Sequence, residues 1–293
     1  MKKVLKKLKS KILIYIENLF LYSTIRDDEK VAQLVLINQF KDLKLRNTYF
    51  SFSDIGFRKY SQNDEDGILL YIFSLINTTN KLCVEICGGD GIQNNTANLI
   101  INHGWNGLMF DGDESNIDTA RKFYSRNRAT STFPPKIVHA WITKDNINDL
   151  IKNQGIQGEV DLLSLDIDGI DYWLWKAINV IKPRVMVAEF QCICGSGDSI
   201  TVPYKDDFTT KYVDGFGIYS GASLAAFEKL SKSKGYRLIG VEKLGFNAFF
   251  LRNDIGVDIF PEVSVEECLN VPFAKWANEK YWPLVKDMDW EKV

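Results

Sequence analysis

Acidic residues close four apolar segments of the chain, and their positions suit a ligand-binding edge of a sheet. Glu85 and Asp111 end two successive β-prone runs. Asp166 and Glu189 end two later runs in the same way. If these runs are neighbouring parallel strands, the four carboxylates meet at the carboxyl edge of one sheet, which is where α/β folds bind their ligands.

A glycine-rich turn follows Glu85 within the segment 82–96, LCVEICGGDGIQNNT. Gly88, Gly89 and Gly91 allow the backbone to turn sharply and to approach a ligand closely. A helix predicted from about Asn95 would aim its free N–H groups at the same place. This strand, turn and helix predict a ligand site, with an ordinary tight turn as the alternative interpretation.

The acids have different predicted roles. Asp111 lies about 20 residues beyond the turn, where a carboxylate can accept both hydroxyl hydrogens of a ribose, or else cap a helix. Asp166 and Glu189, with Asp168 and Asp171 nearby, would raise one another's pKa, which suits a general base. The same oxygens could instead hold a divalent cation. Asp168 and Asp171 could equally serve only as helix caps.

An acidic segment at 60–67, YSQNDEDG, precedes the apolar run 68–76. Its acids suit the first turn of a helix, which is the simpler interpretation. Because this helix leads directly into the strand before the glycine turn, Gln62 is also a candidate for contact with a ligand bound there.

Strand and helix patterns alternate from residue 82 onward, which predicts an α/β fold with a doubly wound, mostly parallel sheet of seven strands. The last two strands are separated by only four residues, so we expect a hairpin and one antiparallel strand. The predicted strands are 82–86, 107–111, 136–141, 161–166, 184–189, 236–241 and 246–251. The predicted helices are about 95–103, 115–127, 145–153, 171–180 and 221–234.

Charge and cysteine content exclude several classes of protein. The net charge of −2 gives no basic footprint for nucleic acid, although six lysines lie in the first 11 residues. The five cysteines are odd in number and irregularly spaced, which argues against a disulfide framework and favours a reducing, cytoplasmic location. Residues 1–24 have the pattern of a basic amphipathic helix. It would pack on this domain or a partner chain, or lie on the anionic inner face of a membrane.

The ordered motifs resemble those of the FkbM-type class I methyltransferases, which use S-adenosylmethionine. The resemblance rests on VEICGGDG, LMFDGD, DLLSLDIDG, VAEF, GYRLIG and NAFFLRND, with YSQNDEDGIL upstream. It covers about 58–254 and so divides the chain into a helical extension (1–57), a methyltransferase domain (58–254) and a Trp-rich tail (255–293). It implies a Rossmann-like fold and methylation of oxygen on a sugar, polyketide or glycan precursor. Cys87 is a departure, because the family often has glycine or alanine there.

The resemblance also implies roles for particular residues. Glu85, Gly88 and Gly91 would hold the methionine part of the cofactor, Asp111 the ribose, and residues 136–143 would lie near the adenine. We extend the cofactor site to the residues beside these positions, which are Gln62, Gly89, Asn95, Gly112 and Asp166. Asp166 or Glu189 would be the base.

The tyrosine- and aspartate-rich segment 195–220 is the expected lid over the acceptor. The acceptor itself is expected to be a small or lipid-linked sugar or glycan precursor. A homo-oligomer is compatible with the sequence. Two other functions stay open, an NAD- or nucleotide-dependent enzyme of the same fold and a cofactor-binding scaffold without turnover.

Overall fold

The computed structural model describes residues 28–293, so the predicted helix over 1–24 lies outside the described residues. Seven strands form the central sheet: β1 (Leu82–Ile86), β2 (Asn106–Asp111), β3 (Lys136–His139), β4 (Gly158–Leu165), β5 (Ile181–Glu189), β9 (Tyr236–Val241) and β10 (Asn247–Arg252). Their spatial order is β3-β2-β1-β4-β5-β10-β9. The order reverses direction between β1 and β4, and such a switch point opens a crevice at the carboxyl edge.

Strand pairing confirms the predicted fold class. β1 is parallel to both β2 and β4, and β4 is parallel to β5. β10 is antiparallel to β5 and to β9, which is the predicted closing hairpin. The carboxyl ends of β1, β2, β4 and β5 therefore lie along one edge of the sheet.

Ten α-helices accompany the strands in the described part of the chain. They are α1 (Asp28–Leu45), α2 (Phe52–Ile55), α3 (Glu65–Ile76), α4 (Ala97–His103), α5 (Glu114–Arg126), α6 (Ile147–Asn153), α7 (Asp171–Ala177), α8 (Leu224–Ser233), α9 (Val265–Cys268) and α10 (Pro272–Val285). None of these helices is both long and apolar enough to cross a bilayer.

The core lies on both faces of the sheet. Val84 and Ile86 of β1 belong to the cluster packed with α6, α7, α8 and α10, whereas Cys83 belongs to the cluster packed with α1, α3, α4 and α5. Successive strand residues point to opposite faces. Because both faces are covered, the strands are almost continuously apolar, which is the pattern of a buried parallel sheet.

A buried ion pair joins the strands at the edge opposite the carboxyl ends. Asp161 accepts N–H groups from Thr79, Asn80 and Lys81. Its Oδ1 lies 2.7 Å from Nη1 of Arg184. Hydrogen bonds to both groups offset the cost of burying two charges.

The segment 190–220, predicted only as a long connection, contains short elements. These are a 3₁₀ helix (Cys192–Cys194), β6 (Ile200–Thr201) and a hairpin of β7 (Lys211–Val213) and β8 (Phe216–Tyr219). The tail packs against them. Tyr281 of α10 stacks on Phe216 with ring centroids 4.9 Å apart, and β11 (Glu291–Lys292) pairs with β6.

Candidate active site

The glycine turn after β1 is held against helix α5. A Cβ added at Gly91 would lie 2.7 Å from the Cβ of Ala120, and the φ of Gly91 is +75°. Its carbonyl accepts a 2.7 Å hydrogen bond from the Tyr124 hydroxyl. Glycine is therefore required at 91 by packing, and Gly91 does not line the cavities described below, although the resemblance implied a cofactor contact.

Cys87 has a φ of +60°, in the left-handed region that favours glycine. This conformation explains why glycine suits the position, and it makes cysteine there a strained choice. Burial raises the pKa of the Cys87 thiol well above its usual value. The thiol is therefore neutral at physiological pH. Cys87 contributes to packing and is not a reactive thiolate.

Glu85 is a buried carboxyl group beside the turn. Its Oε2 accepts the Thr96 N–H at 3.0 Å. Burial raises the pKa of Glu85 to about 7, and hydrogen bonds from Ser164 and Thr96 offset part of that effect. Asn95 donates to the Ser164 hydroxyl at 3.1 Å and so helps to position it. Asn95, predicted from its place at the helix start, thus lies within this network.

Asp111 joins the end of β2 to the glycine turn. Its Oδ2 accepts the Gly89 N–H at 2.9 Å. Its Oδ1 accepts the Asp113 N–H at 2.8 Å and the Asn116 side-chain amide at 3.2 Å. Each carboxylate oxygen has two lone pairs, so Oδ2 keeps capacity for a ligand hydroxyl while the protein fixes its orientation.

Asp166, Asp168 and Glu189 meet beyond the ends of β4 and β5. One oxygen from each carboxylate lies within 4.8 Å of the others. Burial, followed by repulsion from the neighbouring acids, raises the pKa of both Asp166 and Glu189 well above the usual range. Asp171 holds the intervening loop, because it accepts the N–H groups of Ile167 at 2.7 Å and of Gly169 at 3.0 Å.

Two adjacent cavities open along this edge of the sheet. The smaller has a volume of about 310 Å³, and the larger about 660 Å³. Asp111, Cys87 and Ile167 line both, so the cavities form one continuous crevice. The predicted residues that line the smaller cavity are Gln62, Glu85, Gly88, Gly89, Asn95, Asp111 and Asp166.

The larger cavity lies beside β3, on the side where the resemblance placed an adenine. It is lined by His139, Ala140, Trp141 and Ile142, together with the predicted Gly112. Its mixture of an indole, aliphatic side chains and a few polar groups is typical of a site for a flat heterocycle.

The segment predicted as a lid covers the mouth of the larger cavity. The Trp141 indole donates to the carbonyl of Asp206 at 2.9 Å. Phe208 closes over the loop after β4, since a Cβ at Gly169 would lie 2.5 Å from its ring. Tyr212 is 56% exposed, and partial burial of its phenol, followed by repulsion from Asp168, raises its pKa.

Asn247 is a site residue that we did not predict individually from the sequence. It begins β10 directly opposite Glu189 and lines the smaller cavity. Its amide nitrogen donates to Glu65 at 2.8 Å, while its buried Oδ1 has no hydrogen-bond partner among the described residues. The only available signal was its place at the start of the last strand, whose partner was not known.

The fold is similar to solved methyltransferase structures. The N-terminal domain of EvdMO1 with SAH bound is 12% identical, with 78% of this chain and 97% of that chain covered and a TM-score of 0.43. An O-methyltransferase from Bacillus cereus in complex with SAH is 13% identical, with 75% and 89% covered and a TM-score of 0.42. An S-adenosylmethionine-dependent methyltransferase from Clostridium acetobutylicum is 15% identical, with 62% and 87% covered and a TM-score of 0.39.

No protein-family model matches the sequence, and no curated protein matches it. At such low identities and TM-scores, the function of this chain has to be argued from its own site.

Proposed function

We propose that this protein is an S-adenosylmethionine-dependent methyltransferase. The observation that carries the proposal is the acidic lining of the smaller cavity. Glu85, Asp111, Asp166 and Asp168 line it, and no lysine, arginine or histidine is among the described residues of its lining. Such a cavity favours a ligand with positive charge, and S-adenosylmethionine carries both a sulfonium and an ammonium group.

The same charge argues against a dinucleotide. A phosphate oxygen 4 Å from an ionised carboxylate is repelled by about 4 kcal/mol at an effective dielectric constant of 20. The diphosphate of NAD would lie over the glycine turn beside Glu85, which is substantially ionised at neutral pH and above because its pKa is about 7. The NAD-dependent alternative is therefore disfavoured by the residues that line the crevice.

The crevice offers a place for each part of the cofactor. The methionine part would fit the smaller cavity near Gln62, Glu85 and Gly88. One ribose hydroxyl would donate to the remaining lone pair of Asp111 Oδ2. The adenine fits the larger cavity against Trp141. In this pose the sulfonium lies near Asp166.

Asp166 and Glu189 are the proposed catalytic residues. When bound, the cofactor supplies a methyl group on a sulfonium sulfur. An acceptor hydroxyl placed between this methyl group and the acid cluster can lose its proton to one of the carboxylates as the oxygen–carbon bond forms and the neutral thioether leaves. Holding the two reactants in line supplies much of the rate, which is the role of the surrounding loops.

We propose a sugar or glycan precursor, free or lipid-linked, as the acceptor. The support is chemical, because Tyr212 and the neighbouring carboxylates offer an aromatic face and hydrogen-bond acceptors to a hydroxylated ring. Transfer of a labelled methyl group to a panel of sugars, phenols and carboxylic acids tests this choice. Cofactor binding with no transfer to any acceptor would favour the scaffold alternative.

The basic segment 1–24 and helix α1 are the proposed contact with a membrane surface or a second chain. Val31, Leu34 and Val35 of α1 are exposed, which supports an apolar contact near this end of the chain. Sedimentation with anionic vesicles separates the two cases, because a protein-only contact leaves the chain in the supernatant.

The cofactor assignment is tested at Asp111. Asp111→Ala removes the proposed ribose acceptor, so the affinity for S-adenosylmethionine should fall at least tenfold, or about 1.4 kcal/mol. Asp118→Ala is the matched control, because Asp118 is exposed on α5 and does not line the crevice. Equal affinities of the two variants in isothermal titration would refute the ribose assignment.

A further inference from the structure

The acid cluster has a fourth oxygen beside it. Asn247 is 6% exposed and lines the smaller cavity together with Asp166 and Asp168. It is also the register partner of Glu189 across β5 and β10, so the two side chains leave the sheet side by side on the same face. Asp166, Asp168 and the Asn247 amide thus line one cavity, and Glu189, which lines neither cavity, lies beside Asn247 on the neighbouring strand.

The orientation of the Asn247 amide is fixed by its neighbour. Only the NH₂ end of an amide can donate, and here Nδ2 donates to Oε1 of Glu65 at 2.8 Å. Oδ1 must then point away from Glu65. It has no hydrogen-bond partner among the described residues, although leaving a buried acceptor unpaired costs about 1–3 kcal/mol. An unpaired, buried acceptor such as Oδ1 of Asn247 indicates that a ligand binds here and supplies either a positive charge or a hydrogen-bond donor.

The three carboxylates have the spacing of ligands around one hard cation. Oxygens that each lie about 2.0–2.6 Å from Mg²⁺ or Ca²⁺ are about 3–5 Å from one another. The oxygens of Asp166, Asp168 and Glu189 lie within 4.8 Å of one another. An all-oxygen set of carboxylates and an amide favours Mg²⁺, Mn²⁺ or Ca²⁺ over softer metals.

Asp168 is held for such a role by its backbone. Its φ is +56°, a conformation that aspartate tolerates better than most residues. The Thr210 hydroxyl donates to its carbonyl, and Asp171 fixes the N–H groups on either side of it. The loop therefore fixes the backbone from which the exposed Asp168 carboxylate extends.

We infer that Asp166, Asp168, Glu189 and Oδ1 of Asn247 form a binding site for one divalent cation. In the catalytic role that rests on the proposed function, the cation would bind the acceptor oxygen and lower the pKa of its hydroxyl. This places the oxygen for attack. The proton would pass to an oxygen of Asp166 or Glu189 that does not ligate the cation. The ligand set itself does not depend on that role.

The test uses the full chain, stripped of metal with EDTA, and MnCl₂ as the probe. Free Mn²⁺ is followed by electron paramagnetic resonance in the absence of cofactor. We expect one site per chain, weakened at least tenfold by Asp168→Asn and at least threefold by Asn247→Ala. Asp168→Asn keeps a residue that tolerates positive φ. Asp207→Asn, an exposed change in the same lid segment, should leave the affinity unchanged.

Three results would overturn the site. They are the absence of binding at millimolar Mn²⁺, binding that Asp168→Asn does not change, and an Asn247→Ala variant that loses affinity for S-adenosylmethionine but not for Mn²⁺. In the last case the amide oxygen would serve the ammonium group of the cofactor. Titration of S-adenosylmethionine in EDTA is scored separately, so failure of the metal site and failure of the proposed function are distinguishable.

Discussion

Burial of the Glu85 carboxyl group makes its own ionisation sensitive to pH near neutrality. It lies at the base of the smaller cavity, where burial raises its pKa to about 7. A group with a raised pKa is protonated and neutral in mild acid, and ionises only as the pH approaches neutrality. The attraction of the cavity for a cationic ligand should therefore depend on pH.

We predict that the affinity for S-adenosylmethionine rises between about pH 5.5 and pH 7.5, by at most about tenfold per pH unit for one linked proton. A positively charged ligand favours the ionised form of Glu85, so ligand binding releases the proton of Glu85. The affinity for the ligand therefore rises with pH. Isothermal titration across this range measures the slope. Glu85→Gln cannot ionise and should flatten it, and an unchanged slope in that variant would show that another group is responsible.

Rising pH has the opposite effect on the stability that Glu85 contributes to the fold. Because the pKa of Glu85 is higher in the folded chain than in the unfolded chain, its contribution to stability is fully present below the unfolded value. It is lost as the pH rises through about 7. The site thus gives up some stability at neutral pH in order to present a charged carboxylate.

At the scale of elements, the buried pair of Asp161 and Arg184 joins β4 and β5 to the segments that precede β1. Asp161 binds the loop before β1, and Arg184 of β5 donates to the carbonyls of Ile76 and Asn77 after α3. This network therefore couples three neighbouring elements of the sheet.

Asp161→Ala is expected to lower the free energy of unfolding by about 3–5 kcal/mol, because it leaves the Arg184 charge buried without its partner. The midpoint of urea denaturation reports the loss. Glu159→Ala is the matched control, since Glu159 pairs with Arg252 near the surface and should cost no more than about 1 kcal/mol. Similar midpoints for the two variants would contradict the importance of the buried pair.

Elements with a local signal could be predicted from the sequence. The glycine turn, the apolar strands and the closing hairpin each depend on a short pattern, and the structure confirms them. Asp113, rather than Asp111, caps α5, because its side chain accepts the N–H groups of Ser115 and Asn116. The strand β6, the hairpin of β7 and β8 and the strand β11 were not predicted, because two- to four-residue strands carry little pattern and depend on distant partners.

Residues of the candidate site could likewise be predicted only where the local sequence carries a signal. Glu85, Asp111 and Asp166 were predicted because each ends a recognisable apolar run, and all three line the smaller cavity. Asn247 was not assigned to the site, because its position there depends on the pairing of β10 with β5, which local periodicity does not reveal. Gly91 was assigned to the cofactor from the motif, whereas its neighbours show a packing role.

At the scale of the whole molecule, the C-terminal tail braces the segment that covers the crevice. The Tyr219 hydroxyl donates to the carbonyl of Asp289, and the ring of Trp290 lies 4.9 Å from that of Tyr219. The tail therefore packs against the segment that covers the larger cavity.

Replacing Trp290 with alanine should loosen the lid. We expect faster limited proteolysis within residues 204–219 and a loss of about 0.5–1.5 kcal/mol from the aromatic pair alone, with Asp166 and Glu189 left in place. Phe133→Ala is the control, because Phe133 is 75% exposed and lies on another part of the surface. If both variants are cut at the same rate, the tail does not brace the lid.

The most direct test of the central claim compares two cofactors on the unmodified chain. If the acid-lined crevice is built for an adenosyl sulfonium, isothermal titration with S-adenosylmethionine will show saturable binding of one molecule per chain, and titration with NAD will show none. Binding of NAD with no binding of S-adenosylmethionine would contradict the account.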